Sequence, residues 1–174
     1  MSIYMEGGMR DLKDVVEEIY STYKKTVYNY LLYLSSNAHT AEDLTQETFI
    51  KVFKYFNGFK GDCSVKTWLI KISRNTYLTY IKKISTVECN IDECDSLYTG
   101  DDLTNVNESI MIRSCLSKLS EKDKTLIILK DLNGFSYSEI SSILECTEGQ
   151  VKIGLFRARN RFKEIYNSDG KEVL

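Results

Sequence analysis

The chain is divided by a stretch that carries no basic side chain. Residues 84–107 contain six acidic residues and no lysine or arginine, whereas residues 1–83 have a net charge of +3 and residues 108–174 a net charge of +1. This stretch is rich in Asn, Thr, Ser and Asp and lacks a sustained apolar period, as linkers do. The 174 residues are therefore predicted to form two small domains, at 1–83 and 108–174, joined by an acidic flexible linker at 84–107.

The composition permits helices along the whole chain, because proline, the strongest helix breaker, is absent. Apolar residues recur three and four positions apart in both domains, which indicates helices with one buried face. We predict an all-α fold of two small helical domains. Its helices are expected near residues 14–34, from a cap at Thr40 to Asn57-Gly58, and at 64–83, 108–118, 121–132, 136–144 and 148–165. The second of these helices is expected to pack inward through Phe49, Val52, Phe53 and Phe56.

Polar caps mark three helix starts in the second domain. A Ser or Thr is followed three residues later by a side chain that can return the hydrogen bond, in the pairs Ser120 with Asp123, Ser136 with Glu139, and Thr147 with Gln150. The short break at 145–147 between the last two helices has the spacing of a helix-turn-helix. The final helix is predicted to bury Val151, Leu155, Ala158, Phe162 and Ile165 and to expose Gln150, Ile153, Gly154, Arg157 and Arg161, with Lys152 beside them.

The exposed face of this final helix is basic, since four cations lie within the seven residues 157–163. A basic face on the second helix of such a pair is typical of reading the major groove of DNA. The alternative is a solvated helix end, at which Lys and Arg only complement the helix dipole.

Aromatic and basic side chains alternate in the first domain. Phe59 and Trp68 lie beside a glycine-containing loop, and a polar stripe follows on the next helix, formed by Lys71, Arg74 and Asn75. Aromatic faces stack unpaired bases and cations follow the backbone, so this pattern favours binding of a single nucleic-acid strand. The alternative is that the rings belong to the core, as expected for Phe56 and Tyr80.

Enzyme motifs are absent from the sequence, which has no glycine-rich phosphate loop, no metalloprotease motif and no nucleophile elbow. The five cysteines are scattered without a CxxC pair and His39 is the only histidine, so reduced thiols, no metal and no cofactor are expected. No apolar run approaches the roughly 18 residues that cross a bilayer, and no signal segment opens the chain. A cytoplasmic location and no small-molecule substrate are expected.

Two groups of motifs resemble the sigma-70 family of bacterial RNA polymerase sigma factors. Residues 41–49 (AEDLTQETF) and 67–75 (TWLIKISRN) resemble region 2 of that family. Residues 119–122 (LSEK), 134–140 (GFSYSEI) and 156–159 (FRAR) resemble region 4. Two such regions joined by an acidic linker, with no further domain, are similar to the extracytoplasmic-function (ECF) group.

The resemblance implies a protein that binds core RNA polymerase, recognises promoters, opens the strands and starts transcription at a specific regulon. Docking on the polymerase clamp is implied for Asp43, Gln46, Glu47 and Phe49. Binding of the −10 element, including a flipped base of the single non-template strand, is implied around Phe59, Lys60, Trp68, Lys71, Arg74 and Asn75. Duplex contacts at the −35 element are implied for Lys152 and Arg157, on the helix face that also carries Gln150, Ile153 and Arg161.

The resemblance also implies an anti-sigma factor as a partner and a linker that threads the basic RNA-exit channel of the polymerase. The 24 linker residues can extend to roughly 80 Å, which is enough to join two distant DNA-binding domains. The alternative function is a free-standing helix-turn-helix transcriptional regulator. Such a regulator would need neither the segment 43–49 nor an aromatic face for a single strand.

Several positions depart from the family pattern, among them Glu145 and Gly154. Glu145 stands in the turn where relatives often have glycine, and Gly154 stands on the final helix where a side chain commonly touches DNA. Glycine also lowers helix propensity by up to about 1 kcal/mol. The −35 preference is therefore expected to be weaker or unusual.

Overall fold

The computed structural model describes residues 12–86 and 106–169. Every regular element within these two ranges is a helix, and no β-strand occurs in them. The predicted all-α fold is therefore confirmed. Most of the predicted linker lies outside the described residues, as do Cys89 and Cys94, so the flexible character of the linker stays a prediction.

The first domain is a bundle of three helices, α1 (Leu12–Ser35), α2 (Ala38–Tyr55) and α3 (Val65–Thr86), with a single 3-10 turn at Phe56–Gly58. Helix α2 begins after Asn37, whose side chain accepts a hydrogen bond from the backbone N–H of Thr40 at 2.9 Å. The cap therefore lies three residues before the predicted one, because the Asn37 amide oxygen supplies the acceptor that the first turn needs. The centre of the bundle is filled by Tyr30, Leu31, Leu34, Leu69 and Ile70.

The inward face of α2 differs from the prediction at one position. Phe53 is 53% exposed, so the prediction that it packs inward is wrong, although the other three positions of that stripe are at least half-buried. The buried face runs instead through Thr45 and Thr48. Each threonine hydroxyl donates to the carbonyl oxygen four residues earlier, at 2.6 and 2.7 Å, and this bond allows a polar side chain to be buried.

The second domain contains α4 (Val106–Ser117), α5 (Glu121–Ile127), α6 (Tyr137–Leu144) and α7 (Glu148–Asp169). Helix α5 continues into one π-helical stretch at Ile128–Leu132, so the helix predicted over 121–132 is present with a wider final turn. Three residues separate α6 from α7, and this pair forms the predicted helix-turn-helix.

All three predicted caps of the second domain are present. In each, the hydroxyl oxygen accepts from the backbone N–H three residues on, at 3.2 Å, in the pairs Ser120–Asp123, Ser136–Glu139 and Thr147–Gln150. In the last two pairs the longer side chain returns the bond, accepting from the backbone N–H of the cap residue at 2.9 Å. These bonds satisfy N–H groups that a first helical turn leaves without partners, and they determine where the helices begin.

The two domains pack against each other. Helix α3 contacts α6, helix α1 contacts α4 and α5, and the buried apolar side chains of both domains form one continuous cluster. At this boundary the ammonium of Lys124 donates to the carbonyl oxygen of Leu34 at 3.1 Å. A cation is favourable there because the last carbonyls of α1 form the negative end of the helix dipole. The two domains therefore share an interface.

The described part of the chain shows no site for a metal and no membrane helix. Cys63 and Cys146 are free thiols. Within the described ranges, no group of three His, Cys, Asp or Glu side chains is placed to hold an ion. No helix there is both long and apolar enough to span a bilayer.

Candidate nucleic-acid interface

Three aromatic rings meet where the 3-10 turn leads into α3. The ring centroids of Phe59 and Trp68 are 4.8 Å apart, with their planes inclined by 36°. Phe56 meets Trp68 edge-on at 6.1 Å. The turn is closed by the backbone N–H of Phe59, which donates to the carbonyl of Phe56 at 2.9 Å. All three rings are half-buried, so this aromatic cluster (Phe56, Phe59 and Trp68) presents part of its surface to solvent.

The polar residues predicted beside the aromatic cluster differ in their accessibility. Lys60 and Asn75 are exposed. Lys71 forms an ion pair with Glu145 of the second domain, with 2.9 Å between Nζ and Oε1. Arg74 is half-buried, and its Nε has no hydrogen-bond partner among the described residues. Lys71 and Arg74 therefore lie on one side of α3, and Lys71 is in contact with the second domain there.

The residues predicted to bind polymerase lie on α2. Asp43 and Gln46 are exposed, and Glu47 pairs with Lys51 at 2.7 Å. Phe49 is buried, and its ring packs edge-on against Tyr20 with 4.8 Å between centroids. Phe49 therefore positions α2 against α1 and presents no contact surface of its own.

Two apolar residues missing from the predicted set share the exposed face of α2. Ile50 is 67% exposed, and Phe53 is also mostly in solvent. Ile50 follows Asp43 by seven residues and Gln46 by four, which places it on the same side of the helix. We call this group (Asp43, Gln46, Glu47, Ile50 and Phe53) the α2 stripe. The helical spacing from Asp43 is the signal by which the sequence could have identified Ile50.

The predicted DNA-reading face of α7 is exposed at its N-terminal half. Gln150 closes the helix cap, and Lys152 lies over the Tyr137 ring, 5.4 Å from its centroid. Ile153 is 57% exposed and Phe156 is 67% exposed. Phe156 was missing from the predicted set, although it lies three residues after Ile153, at the spacing of neighbours on one helix face.

The arginines of α7 have different partners. Arg159 donates from Nε to Asp131 at 3.1 Å, and this hydrogen bond raises the pKa of the arginine. Arg161 pairs with Asp123, whose side chain is buried. Arg157 is exposed and has no acidic partner in the described part of the chain. Of the predicted −35 arginines, Arg157 is therefore available to a ligand and Arg161 is held by its own domain.

Gly154 faces the core of the second domain. A Cβ at this position would lie 2.8 Å from Cδ1 of Leu126, which is buried on α5. The expectation that Gly154 lies on the exposed face and removes a DNA contact is therefore wrong. Glycine avoids this close contact between α5 and α7, and the exposed arc of α7 passes through Ile153 and Arg157.

We expect Gly154→Ala to lower the free energy of unfolding by about 1 kcal/mol. Overpacking costs about 1–3 kcal/mol in a dense core, whereas the gain in helix propensity is at most about 1 kcal/mol. The control is Gly149→Ala on the same helix, where the new Cβ would meet only Thr147 Oγ1 at 3.9 Å. Urea denaturation should show loss of stability for the first variant and none for the control. Stabilisation by Gly154→Ala would contradict the close approach.

These features define a class: a two-domain helical protein that carries a helix-turn-helix and a separate aromatic surface suited to a single strand. The family model for Sigma-70 region 2 matches residues 19–86, and that for Sigma-70, region 4 matches residues 109–162. The chain belongs to the sigma-70 family of RNA polymerase sigma factors, in its ECF group.

Several proteins are similar along most of the chain. The ECF RNA polymerase sigma factor SigM of Bacillus subtilis is 31% identical over 156 residues, which are 87% of this chain and 95% of SigM. The ECF RNA polymerase sigma-E factor of Escherichia coli is 30% identical over 131 residues, 67% of this chain and 69% of that protein. The sigma factor RpoE of Bartonella quintana, solved in complex with the anti-sigma factor NepR, is 27% identical with a TM-score of 0.77. The match covers 90% of this chain and 99% of RpoE.

Proposed function

We propose that this protein binds core RNA polymerase through the α2 stripe, holds an unpaired promoter base at the aromatic cluster and reads the −35 duplex with α7. The observation that carries the proposal is the presence of both sigma regions in one chain, with region 2 before region 4. The protein supplies no catalytic group of its own and acts where the polymerase acts, in the cytoplasm.

The α2 stripe suits a protein partner. It combines carboxylate and amide groups at one end with exposed Ile50 and Phe53 at the other. Interfaces of this kind combine apolar anchors, which contribute most of the binding free energy, with polar groups at the rim. Such a surface on the helix that matches the polymerase-binding segment supports docking on the clamp.

The aromatic cluster suits an unpaired base. Flipping a base from the duplex costs a few kcal/mol, and stacking on an aromatic ring returns about 1–3 kcal/mol per base. The inclined pair of Phe59 and Trp68 offers such a ring, and the exposed Lys60 and Asn75 can contact the strand. Capture of the base then favours strand opening without ATP.

The exposed face of α7 suits duplex DNA. An arginine can donate two hydrogen bonds to the major-groove edge of guanine, and apolar side chains can contact the methyl group of thymine. Arg157 is the arginine available for this role, and the neighbouring Ile153 and Phe156 are the exposed apolar side chains.

An anti-sigma factor is the proposed regulatory partner, by analogy with the RpoE–NepR complex.

The free-standing regulator is not favoured, because it would leave the α2 stripe without a role. Run-off transcription with core polymerase over a pool of genomic fragments tests the choice. We expect transcripts that depend on this protein. Tight duplex binding by the protein alone, with no transcript, would support the regulator instead.

We expect Arg157→Ala to weaken binding to a −35 duplex about tenfold, or about 1.4 kcal/mol, if the arginine reads a base edge. If Arg157 contacts only phosphate, the loss should be the same for every sequence and the salt slope should fall by about one. Arg161→Lys is the control, because it keeps the ion pair with Asp123 and should bind within about twofold of wild type. Fluorescence anisotropy over several salt concentrations separates these results.

A further inference from the structure

The exposed face of α7 carries two apolar side chains beside a single arginine. Ile153 and Phe156 are each more than half exposed, and they lie three residues apart, as neighbours on one side of the helix. Arg157 is also exposed and follows Ile153 by four residues, so it adjoins the same side. We call these three residues (Ile153, Phe156 and Arg157) the reading face. Adjoining exposed apolar side chains are a feature of contact surfaces, so the reading face is expected to have a partner.

The charges around the reading face favour DNA as this partner. Residues 150–161 contain four basic residues and no acidic one. The ammonium of Lys152 lies 5.4 Å from the centroid of the Tyr137 ring, and Tyr137 is the first residue of α6. The first helix of a helix-turn-helix crosses the DNA backbone, so this position suits Lys152 to a phosphate and leaves the bases to the reading face.

Several hydrogen-bonding side chains of α7 are already bound within the second domain. Gln150 Oε1 accepts from the backbone N–H of Thr147 at 2.9 Å, so the oxygen that a two-bond contact with adenine needs is in use. Arg159 and Arg161 pair with aspartates of the π-helical stretch and of α5. The N-terminal part of a recognition helix contacts the base edges, and Arg157 is the one arginine in residues 148–157 of α7.

The helical rise limits how many base pairs the reading face covers. Four residues of an α-helix rise about 6 Å, and adjacent base pairs are about 3.4 Å apart. On a helix that lies along the major groove, Ile153 and Arg157 therefore reach base pairs about two steps apart, and Phe156 lies between them along the axis. Gly154, within this span, adds no side chain and faces Leu126 of α5.

The chemistry of the reading face selects thymine. Of the four bases, thymine alone presents a methyl group in the major groove. Isoleucine and phenylalanine side chains cannot pair with the amino group of cytosine or the oxygen and nitrogen acceptors of guanine. Contact with those edges would remove their water without replacing its hydrogen bonds, which is unfavourable.

We propose that Ile153 and Phe156 are specificity-determining residues, which contact the methyl groups of thymines within about two base pairs of a guanine bound by Arg157. The inference rests on the proposed role of α7 in reading the −35 duplex. It assigns the selection of two bases to apolar contact and the selection of one base to hydrogen bonds. Removal of a single methyl group from the DNA should therefore weaken recognition.

Deoxyuridine tests the methyl contact directly, because it differs from thymidine only in lacking the 5-methyl group and keeps the same base pair. The probe is a genomic fragment that the full chain transcribes with core polymerase, with each thymine of its −35 region replaced in turn on either strand. The measured quantity is the concentration of holoenzyme that gives half-maximal run-off. We expect it to rise about fourfold at each contacted thymine, as the burial of one methyl group predicts, and to stay unchanged at the other thymines.

Two variants assign each methyl group to a side chain. Ile153→Ser and Phe156→Ser should each need at least about fourfold more holoenzyme on the unmodified template. Each variant should also lose the response to deoxyuridine at one position and keep it at the other. Ile110→Ser is the matched control, since Ile110 is an exposed isoleucine on α4, and it should respond like wild type at every position.

Transcription that is equal from all deoxyuridine templates would overturn the inference and leave the proposed function standing. Variants that keep the full wild-type response at both positions would also overturn it, because the apolar pair would then serve another partner. No transcript from any fragment with the wild-type protein would instead contradict the proposed function itself. The deoxyuridine series with wild type needs no variant, so a folding defect in Ile153→Ser or Phe156→Ser, detected by circular dichroism, leaves the test decisive.

Discussion

Trp68→Ala should leave binding to a −35 duplex intact and lower open-complex formation about ten- to a hundredfold. The proposed mechanism requires an aromatic face on which the flipped base stacks, and loss of one stack costs about 1–3 kcal/mol. Trp68 contacts both Phe56 and Phe59, so its removal also dismantles the aromatic cluster. Permanganate footprinting of the promoter measures the opening directly.

A promoter with a pre-melted bubble separates this effect from a failure of duplex reading. The bubble removes the cost of unpairing, so it should rescue Trp68→Ala at least partly and should not specifically rescue Arg157→Ala. Tyr33→Ala controls for lost packing, since Tyr33 is a half-buried ring of α1 outside the aromatic cluster. If the bubble affects Trp68→Ala and Arg157→Ala alike, the division of roles between the two domains is wrong.

The positions of the helices could be predicted because their signals are local. Each cap of the second domain is a hydrogen bond between residues three apart, and Ser136, for example, needs only Glu139 to define the start of α6. The apolar period of α7 likewise identified its buried stripe, including Val151, Leu155 and Ala158. Such signals act within a few residues, so the sequence contains them in full.

The wrong predictions concern residues whose burial depends on how neighbouring helices pack against each other. Phe53 was expected inside because it continues the helical apolar spacing that begins at Phe49, but α2 buries two threonines whose hydroxyls bond to their own helix. Gly154 was expected outside because its spacing groups it with the exposed residues of α7, but a Cβ there would lie 2.8 Å from the Leu126 side chain of α5. Neither outcome is present in the local pattern, since both depend on which side of the helix its neighbours cover.

The sequence indicates which residues belong to the candidate site, but it does not show which of them are free to bind a ligand. Lys71, Arg157 and Arg161 are alike as cations in a sequence, yet two of them have carboxylate partners in other elements of the fold. Charge counts cannot distinguish a lysine that is available to phosphate from one that pairs with a glutamate in a distant turn. The contact between the domains, which decides this for Lys71, has no counterpart in either domain's own pattern.

Ile50→Lys should reduce the affinity for core RNA polymerase at least about thirtyfold, because burying an apolar anchor at a protein interface contributes about 2 kcal/mol or more. The folded state should be unaffected, since substitutions of solvated side chains change stability by about 0.5 kcal/mol or less. Ile84→Lys is the matched control, as Ile84 is an exposed isoleucine at the far end of α3. Binding of the labelled full chain to purified core polymerase gives the affinities.

Glu47→Lys, at the acidic end of the α2 stripe, should abolish binding to core RNA polymerase. This change places a second cation beside Lys51, which the Glu47 carboxylate now holds and which also donates to Thr76 Oγ1 at 3.1 Å. Glu47→Gln removes the charge without creating that repulsion, so it should retain more affinity than Glu47→Lys. If Ile50→Lys and Glu47→Lys both bind core polymerase like wild type, with circular dichroism unchanged, then the α2 stripe is not the docking surface. The polymerase contact would then have to lie on another face of the first domain.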